Sequence, residues 1–506
     1  MNDRSSPHAE PASTAAVGTK AGDIAVAARN ALKLALSLTV TWSLALIVRI
    51  QLPRHLGPIA FGNFNFAESF AAAFFVFIGF GLDTYIQKEV SLRPEHASDF
   101  FAGVTILRTL VSVVLCVALV FTLLLTNRDS SLQGLVFVAA LTQYVISFGQ
   151  VFSSSLRAST SVNVLATVNV VSKLLWAVGI VVGIVLDVSL IVLMIPALVG
   201  EVLRSIVLWK AARRAINLKW RVNYIATKKV IVASLPYFGA SILVNVINRL
   251  DVSLVEFLAP GPEVGWYGAS NNLASLAMLL YPVVGWILMP LLARAKHRSL
   301  DEFYSILRRA LEGFVILTIP VTLVIALGAD FWVRLAFGPA FAASAMSLQF
   351  LAPMFVATYA CSVLSIGSVM LDKPWAVTSA SSIGIVLQPA LTITATHYMR
   401  RLGPGGVSAA AAIGVVTTEV CVMFLLLRTM GKHAVDRRNL TATIKSICVA
   451  IAIIPLDHML RPIGPARLII DFFAYVALAL VVRVESLGDI RSITAIIRDR
   501  RRGAAS

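Results

Sequence analysis

The stretch PYFGASILVNVINRLDVSLVEF, residues 236–257, decides the fold class because it is apolar enough to cross a bilayer yet carries polar side chains near its centre. On a helix each residue turns by about 100°, so the polar side chains share roughly half of the circumference. They are Ser241, Asn245, Asn248, Arg249 and Asp251. An arginine in mid-membrane costs on the order of 2.5–3.5 kcal/mol and normally faces a bundle interior or a wet cavity. The stretch therefore predicts one wall of a polar cavity, although an Arg249–Asp251 pair that only holds helices together is an alternative.

The composition extends this interpretation to the whole chain. Of its 506 residues, 58% are hydrophobic and only 14% are charged, whereas about 25% of the residues of a soluble protein are charged. Apolar runs of roughly 20 residues recur, and each is long enough to cross the hydrocarbon core. The net charge of +17 lies mostly in the loops between these runs, so we read it as topology information and expect no nucleic-acid partner.

The apolar runs predict an all-α polytopic membrane protein with about fourteen transmembrane helices. The predicted spans are 31–52, 62–84, 101–126, 133–156, 162–186, 188–209, 230–258, 266–293, 307–328, 345–371, 375–398, 407–429, 442–460 and 466–485. Lys and Arg accumulate after spans six, eight and twelve and in the C-terminal tail, and cytoplasmic loops carry this excess. We therefore expect both termini to be cytoplasmic, in a multi-pass protein of the cell membrane.

Several functional classes are disfavoured. The loops are too short for a catalytic domain, and no GxxxxGK[ST] motif is present for ATP. The four cysteines lie inside apolar runs without a CxxC pair, so neither a disulfide framework nor a metal site is expected. We expect no cofactor and no enzymatic activity.

A short pattern recurs about six spans apart. Arg49 is followed by an apolar stretch, Gly57-Pro58, and then Gly62 with an aromatic residue two positions later. Arg249 is followed in the same way by Gly261-Pro262 and then Gly265 with its aromatic residue. Pro and Gly form the tight turn between two helices, and the aromatic residue anchors the second helix at the interface.

The repeat predicts two six-helix lobes followed by a terminal helix pair, with binding where the lobes face each other. The expected boundaries are a disordered cytoplasmic tail at 1–29, an N-lobe at 30–210, a basic linker at 211–229, a C-lobe at 230–430, spans 13–14 at 431–485, and a basic tail at 486–506.

Three motifs carry a resemblance to a known family. They are RIQLPRHLGPIAFGNFNFAES at residues 49–69, GLDTYIQKEV at residues 81–90, and RLDVSLVEFLAPGPEVGWYGAS at residues 249–270. The chain resembles, over roughly residues 30–485, the Wzx-type polysaccharide transporters of the multidrug/oligosaccharidyl-lipid/polysaccharide (MOP) flippase superfamily.

The resemblance implies a flippase that moves a lipid-linked oligosaccharide from the inner to the outer leaflet by alternating access. Its implied partners are that substrate, membrane lipid, and polysaccharide polymerase and chain-length or export proteins. A multidrug cation antiporter of the same superfamily and a peptidoglycan-precursor flippase are the alternatives.

A diphosphate headgroup calls for a cationic cavity, because Arg offers a fork of donors to phosphate oxygens. The cations predicted to line it are Arg49, Lys173 and Arg249, although Arg49 near the interface could simply snorkel. Arg204 follows Glu201 by three residues, so we predict an intrahelical pair there.

Neutral and acidic side chains complete the predicted site. Those expected to contact sugar are Asn169 and Trp176 beside Lys173, Asn245 and Asn248 beside Arg249, and Asn271 and Asn272 on span eight. Those expected to pair with the cations or bind a coupling ion are Asp251, Glu68, Asp83 and Glu419.

Overall fold

The computed structural model describes residues 14–79, 82, 86, 97–125, 129–158, 162–215, 221–278 and 281–482. The side chains of residues 14–38 and 235–249 lie outside the description. The helices of the first half are α1 Thr14–Phe75, α2 Ala97–Leu125, α3 Ser130–Ala158, α4 Val162–Val185, α5 Leu190–Ala215, α6 Tyr224–Leu258 and α7 Pro262–Ala277. Those of the second half are α8 Tyr281–Arg298, α9 Leu300–Leu327, α10 Ala329–Phe337, α11 Ser344–Leu351, α12 Met354–Met370, α13 Pro374–Met399, α14 Gly406–Met430, α15 Arg437–Leu460 and α16 Arg467–Val481.

The predicted all-α membrane fold is confirmed. Among the described residues, ten helical stretches are long and apolar enough to cross a bilayer. Two of these stretches, Thr39–Gly79 and Arg437–Val481, each overlap two consecutive predicted spans. The helix α1 begins at Thr14, earlier than the first predicted span. The short α10 was not predicted, because nine residues with charges at Asp330 and Arg334 do not resemble a membrane span.

Both copies of the predicted repeat contain a glycine with a positive φ. Gly57 interrupts α1 with φ 72°, and Gly261 precedes α7 with φ 105°. A positive φ strains any residue with a side chain, so glycine suits both positions. The proline that follows each glycine occupies the first helical position, where its missing N–H costs nothing. Each Gly-Pro pair therefore ends one helix and begins the next.

The chain divides into two compact units. The first comprises residues 1–48, 78–117 and 141–235, and the second comprises residues 49–77, 118–140 and 236–506. The first unit has a core around Phe101, Phe152 and Leu208. The second has one core around Leu292, Phe303 and Val363 and another that joins α9 to the terminal helices α15 and α16. The lobe boundaries expected from the sequence stay a prediction.

Candidate functional site

The short helix α7 lies at the centre of the candidate site, and glycines bring it unusually close to the second half of α1. A Cβ atom at Gly62 would lie 2.9 Å from the backbone nitrogen of Gly265. A Cβ at Gly265 would collide with the carbonyl oxygen of Pro58, and one at Gly268 with the side-chain amide of Asn65. The two helices that follow the Gly-Pro turns therefore pack backbone to backbone, which positions the polar side chains of both.

Arg49 reaches α7 from the first half of α1. Its Nη1 donates a hydrogen bond to the Ser275 Oγ at 3.0 Å, and its side chain is exposed. Asn271 and Asn272 lie half-buried on the same helix, within a turn of Ser275. The structure thus brings one predicted cation to the helix that carries two of the predicted sugar contacts.

A buried hydrogen bond joins α6 to α7. Tyr267 is fully buried and donates its hydroxyl to the Asp251 Oδ2 at 2.6 Å, while Oδ1 of the same carboxylate accepts from the backbone N–H of Val252 at 2.8 Å. Asp251 is 7% exposed. Tyr267 is the aromatic residue of the second repeat copy, and this hydrogen bond lets it hold α6 and α7 together.

Further contacts attach α7 to α14 and α11. The Glu263 carboxylate accepts from the backbone N–H groups of Gly405 and Ser408, each at 2.8 Å. These groups lie at the N-terminus of α14, where the helix dipole favours a negative charge. The Ser347 hydroxyl of α11 donates to the Ser270 hydroxyl at 2.7 Å. The helix that carries Asn271 and Asn272 is therefore held from several sides.

Another group of predicted residues lies in the first unit. The Nζ of Lys173 sits 5.0 Å from the centre of the Trp176 ring, a cation–π distance. The Asn169 Oδ1 accepts from the Arg204 Nε at 3.0 Å, and Arg204 pairs with Glu201 at 2.8 Å. The predicted Glu201–Arg204 pair is confirmed, and Asn169 joins it. Lys173 is exposed.

The remaining predicted residues have different surroundings. Glu68 is exposed on the second half of α1. Glu419 is half-buried on α14, and its backbone carbonyl accepts from the Cys361 thiol at 3.5 Å. Asp83 lies outside the described residues, as do the side chains of Asn245, Asn248 and Arg249, although α6 is helical through all three of these positions.

An apolar groove in the second unit was not predicted. It has a volume of about 570 Å³ and lies between α9, α12, α14 and α15. Glu312 and Asn439 are among its lining residues, and the Glu312 Oε1 pairs with the Arg438 Nε at 3.3 Å. Its lining residues come from four separate helices, so no local sequence pattern could have revealed it.

Solved structures of transporters and flippases share this fold. "Lipid II flippase MurJ, inward closed conformation" has a TM-score of 0.68 at 14% identity and covers 90% of this chain and 98% of its own. An inward-facing multidrug resistance MATE family transporter of the MOP superfamily has a TM-score of 0.58 at 16% identity. The match covers 77% of this chain and 98% of the transporter. A mutant of the Vibrio cholerae MATE transporter VcmN has a TM-score of 0.55 at 15% identity. The match covers 80% of this chain and 98% of the transporter. This chain therefore shares its fold with these flippase and transporter structures.

The family follows from the sequence comparison. The sequence model of the family "Polysaccharide biosynthesis protein" matches residues 27–296, and the chain belongs to this family. A comparison with curated individual proteins gives no match.

Proposed function

We propose that this protein is a flippase that carries a polyprenyl-diphosphate-linked oligosaccharide from the cytoplasmic to the outer leaflet of the cell membrane. The observation that carries the proposal is the placement of basic side chains on helical stretches that could cross a bilayer. Arg49 lies in Thr39–Gly79 and Lys173 in Asn163–Val185. Such residues usually mark a substrate path, since an unneeded charge there would be costly.

The chemistry of these side chains suits an anionic, sugar-bearing headgroup. Arginine binds phosphate oxygens through a planar set of donors and stays charged at all relevant pH values. Arg49 lies beside Ser275, in reach of the helix that bears Asn271 and Asn272. The Trp176 ring offers an apolar face for a pyranose, with Lys173 next to it. We assign Arg249, Asn245 and Asn248 to the same substrate path.

The acidic residues have a supporting role in this proposal. Asp251 is occupied by Tyr267 and orients α6, which carries Arg249. Glu68 and Glu419 are assigned to charge balance or ion coupling, together with Asp83.

The apolar groove suits the lipid part of the substrate. A polyprenyl chain has no polar group to satisfy, and the groove is lined by side chains such as Leu323, Phe424 and Ile451. A carrier for a small water-soluble solute has no need of such a surface. The groove therefore supports a substrate with a long hydrocarbon chain.

The two alternatives make different demands. A multidrug antiporter needs acidic side chains to attract cationic drugs, whereas Arg49 and Lys173 have the opposite charge. A peptidoglycan-precursor flippase has the same electrostatic needs as our proposal, and the fold likeness to the lipid II flippase MurJ keeps it as the second candidate. Loss of viability on deletion favours that candidate, and loss of an exported polysaccharide with normal growth favours ours.

The proposed setting is the inner membrane with both termini in the cytoplasm. The basic segments after α5, α8 and α14 would then face the cytoplasm, as the positive-inside rule requires. The delivered oligosaccharide would be consumed outside by a polysaccharide polymerase and its chain-length or export proteins. Alternating access of the two lobes would move the headgroup while the lipid tail stays in the bilayer.

Replacing Arg249 in a deletion strain tests the proposal. We expect Arg249→Ala to abolish polysaccharide export at unchanged membrane abundance, and Arg249→Lys to restore part of it, because lysine keeps the charge but loses the planar set of donors. Arg428→Ala is the matched control, since Arg428 is an exposed arginine in the last turn of α14. Normal export by Arg249→Ala would refute the cationic substrate path.

A further inference from the structure

Two buried carboxyl groups face each other in the terminal helix pair. Asp457 lies near the end of α15 and is 4% exposed, and Asp471 lies in the first turns of α16 and is 0% exposed. The two helices are joined by a short turn in which Gly464 has φ 69°. This turn folds α16 back along α15, which places the carboxyl of Asp471 beside that of Asp457.

The guanidinium of Arg467 accompanies the two acids. The Arg467 Nε lies 2.6 Å from the Asp457 Oδ1, and its Nη2 donates to the carbonyl oxygen of Leu327 at 3.1 Å. Leu327 is the last residue of α9, and cations stabilise a helix C-terminus. Arg467 therefore serves Asp457 and the end of α9 at once, and connects the terminal helix pair to the rest of the second unit.

Asp471 differs from Asp457 in its surroundings. Within the part of the chain that the structure describes, neither of its carboxylate oxygens accepts a hydrogen bond, although the side chain is fully buried. A buried carboxylate without donors is very costly. If both acids were ionised, Asp457, Asp471 and Arg467 together would carry a net charge of minus one. The uncompensated negative charge would lie on Asp471, whose oxygens accept no hydrogen bond from the described residues.

We propose that Asp457 and Asp471 form a proton-binding site, with Asp471 as the group that holds the proton. A proton taken from water adds to one Asp471 oxygen and makes the group of three side chains neutral. The new O–H then donates to Asp457, so the contact between two acceptors becomes a hydrogen bond.

A metal ion suits the site less well. Among the described residues no group of three or more His, Cys, Asp and Glu side chains is placed to hold one. Calcium takes 6–8 oxygen ligands, and Arg467 already occupies the Asp457 Oδ1. A proton needs only the two oxygens that face each other.

The other titratable and charged groups near the pair do not replace the proton. Tyr475 is buried one turn along α16, whereas His458 on α15 and Arg461 in the connecting turn are exposed. From α9 the contact with Arg467 is a backbone carbonyl. Loss of the proton would set two carboxylates against each other, so proton occupancy controls how firmly α15 and α16 pack together.

Infrared spectroscopy of the purified protein tests the site. The carbonyl stretch of a protonated carboxylic acid is separate from that of a carboxylate and shifts in heavy water. We expect the wild-type protein to show this band at neutral pH, and we expect Asp471→Asn to lose it. Asp330→Asn is the matched control, because Asp330 is an exposed carboxylate on α10, and this variant should keep the band.

The Asp457→Asn variant provides a second test of the proton-binding site. Asp457→Asn should keep the band but shift its frequency, because the acceptor changes from a carboxylate to an amide. This variant therefore tests the site even if Asp471→Asn does not fold. An absent band in the wild-type protein at every pH, or an unchanged band in both variants, would overturn the proposal. A band removed by sodium at constant pH would overturn it in favour of a sodium site.

Discussion

At the scale of single residues, the contact between Tyr267 and Asp251 has the clearest energetic consequence. The hydroxyl donates to a buried carboxylate at 2.6 Å, and hydrogen bonds to charged groups contribute about 1.5–3 kcal/mol. We expect Tyr267→Phe to lower stability by about this amount, because the ring still fits while the carboxylate loses a donor. Thermal unfolding of the purified protein measures the change.

An exposed tyrosine provides the control for this variant. Tyr398 is 66% exposed on α13, so Tyr398→Phe should leave the unfolding temperature almost unchanged. If both variants changed the unfolding temperature equally, the Tyr267–Asp251 hydrogen bond would not contribute to stability.

Residue contacts within one helix could be predicted from the sequence, and those between distant helices could not. The Glu201–Arg204 pair follows from a spacing of three residues. The Arg49–Ser275 hydrogen bond joins residues 226 positions apart and depends on how α1 meets α7. The Tyr267–Asp251 hydrogen bond shows the same limit, because it joins α7 to α6 and depends on how the two helices pack. The Arg249–Asp251 pair suggested by the sequence stays a prediction.

At the scale of helices, the close approach of α7 to α1 depends on glycine. A Cβ at Gly265 would collide with the Pro58 carbonyl, which is backbone and cannot rotate away. We expect Gly265→Ala to destabilise the protein by about 1–3 kcal/mol and to lower transport by separating the helices that carry Arg49 and Ser275. Thermal unfolding and export from a deletion strain measure the two effects.

Gly313 is the matched control for this helix contact. It lies within α9, and a Cβ there would meet nothing within 4 Å. Because alanine favours a helix over glycine by up to about 1 kcal/mol, Gly313→Ala should be neutral or stabilising. A neutral Gly265→Ala would show that the close approach of α1 and α7 is not required.

The helices themselves were largely predictable, and their interruptions were only partly so. Apolar length predicts most of the membrane-spanning stretches that the described residues form, and the Gly-Pro pairs mark where α1 is interrupted and α7 begins. The break between α11 and α12 at Ala352 and Pro353 lies inside an apolar run, where a proline is compatible with a continuing membrane helix. The short α10 has neither the length nor the composition of a span.

At the scale of the whole molecule, a family, a fold and a charge pattern support the same proposed function. Membership in the polysaccharide biosynthesis family and the fold shared with a lipid II flippase structure support the proposed lipid-linked substrate. The basic side chains within apolar helices favour an anionic substrate over cationic drugs. Composition and periodicity could predict the fold class, whereas the apolar groove and the acidic pair of the terminal helices required the packing of distant helices.

The most direct test is translocation of a polyprenyl-diphosphate oligosaccharide by the purified protein in liposomes, followed by access of a membrane-impermeant glycosidase to the sugar. We predict that wild-type protein moves the lipid to the opposite leaflet, that Arg249→Ala does not, and that Arg428→Ala behaves like wild type. Translocation by Arg249→Ala at the wild-type rate, or no translocation by the folded wild-type protein, would contradict the account.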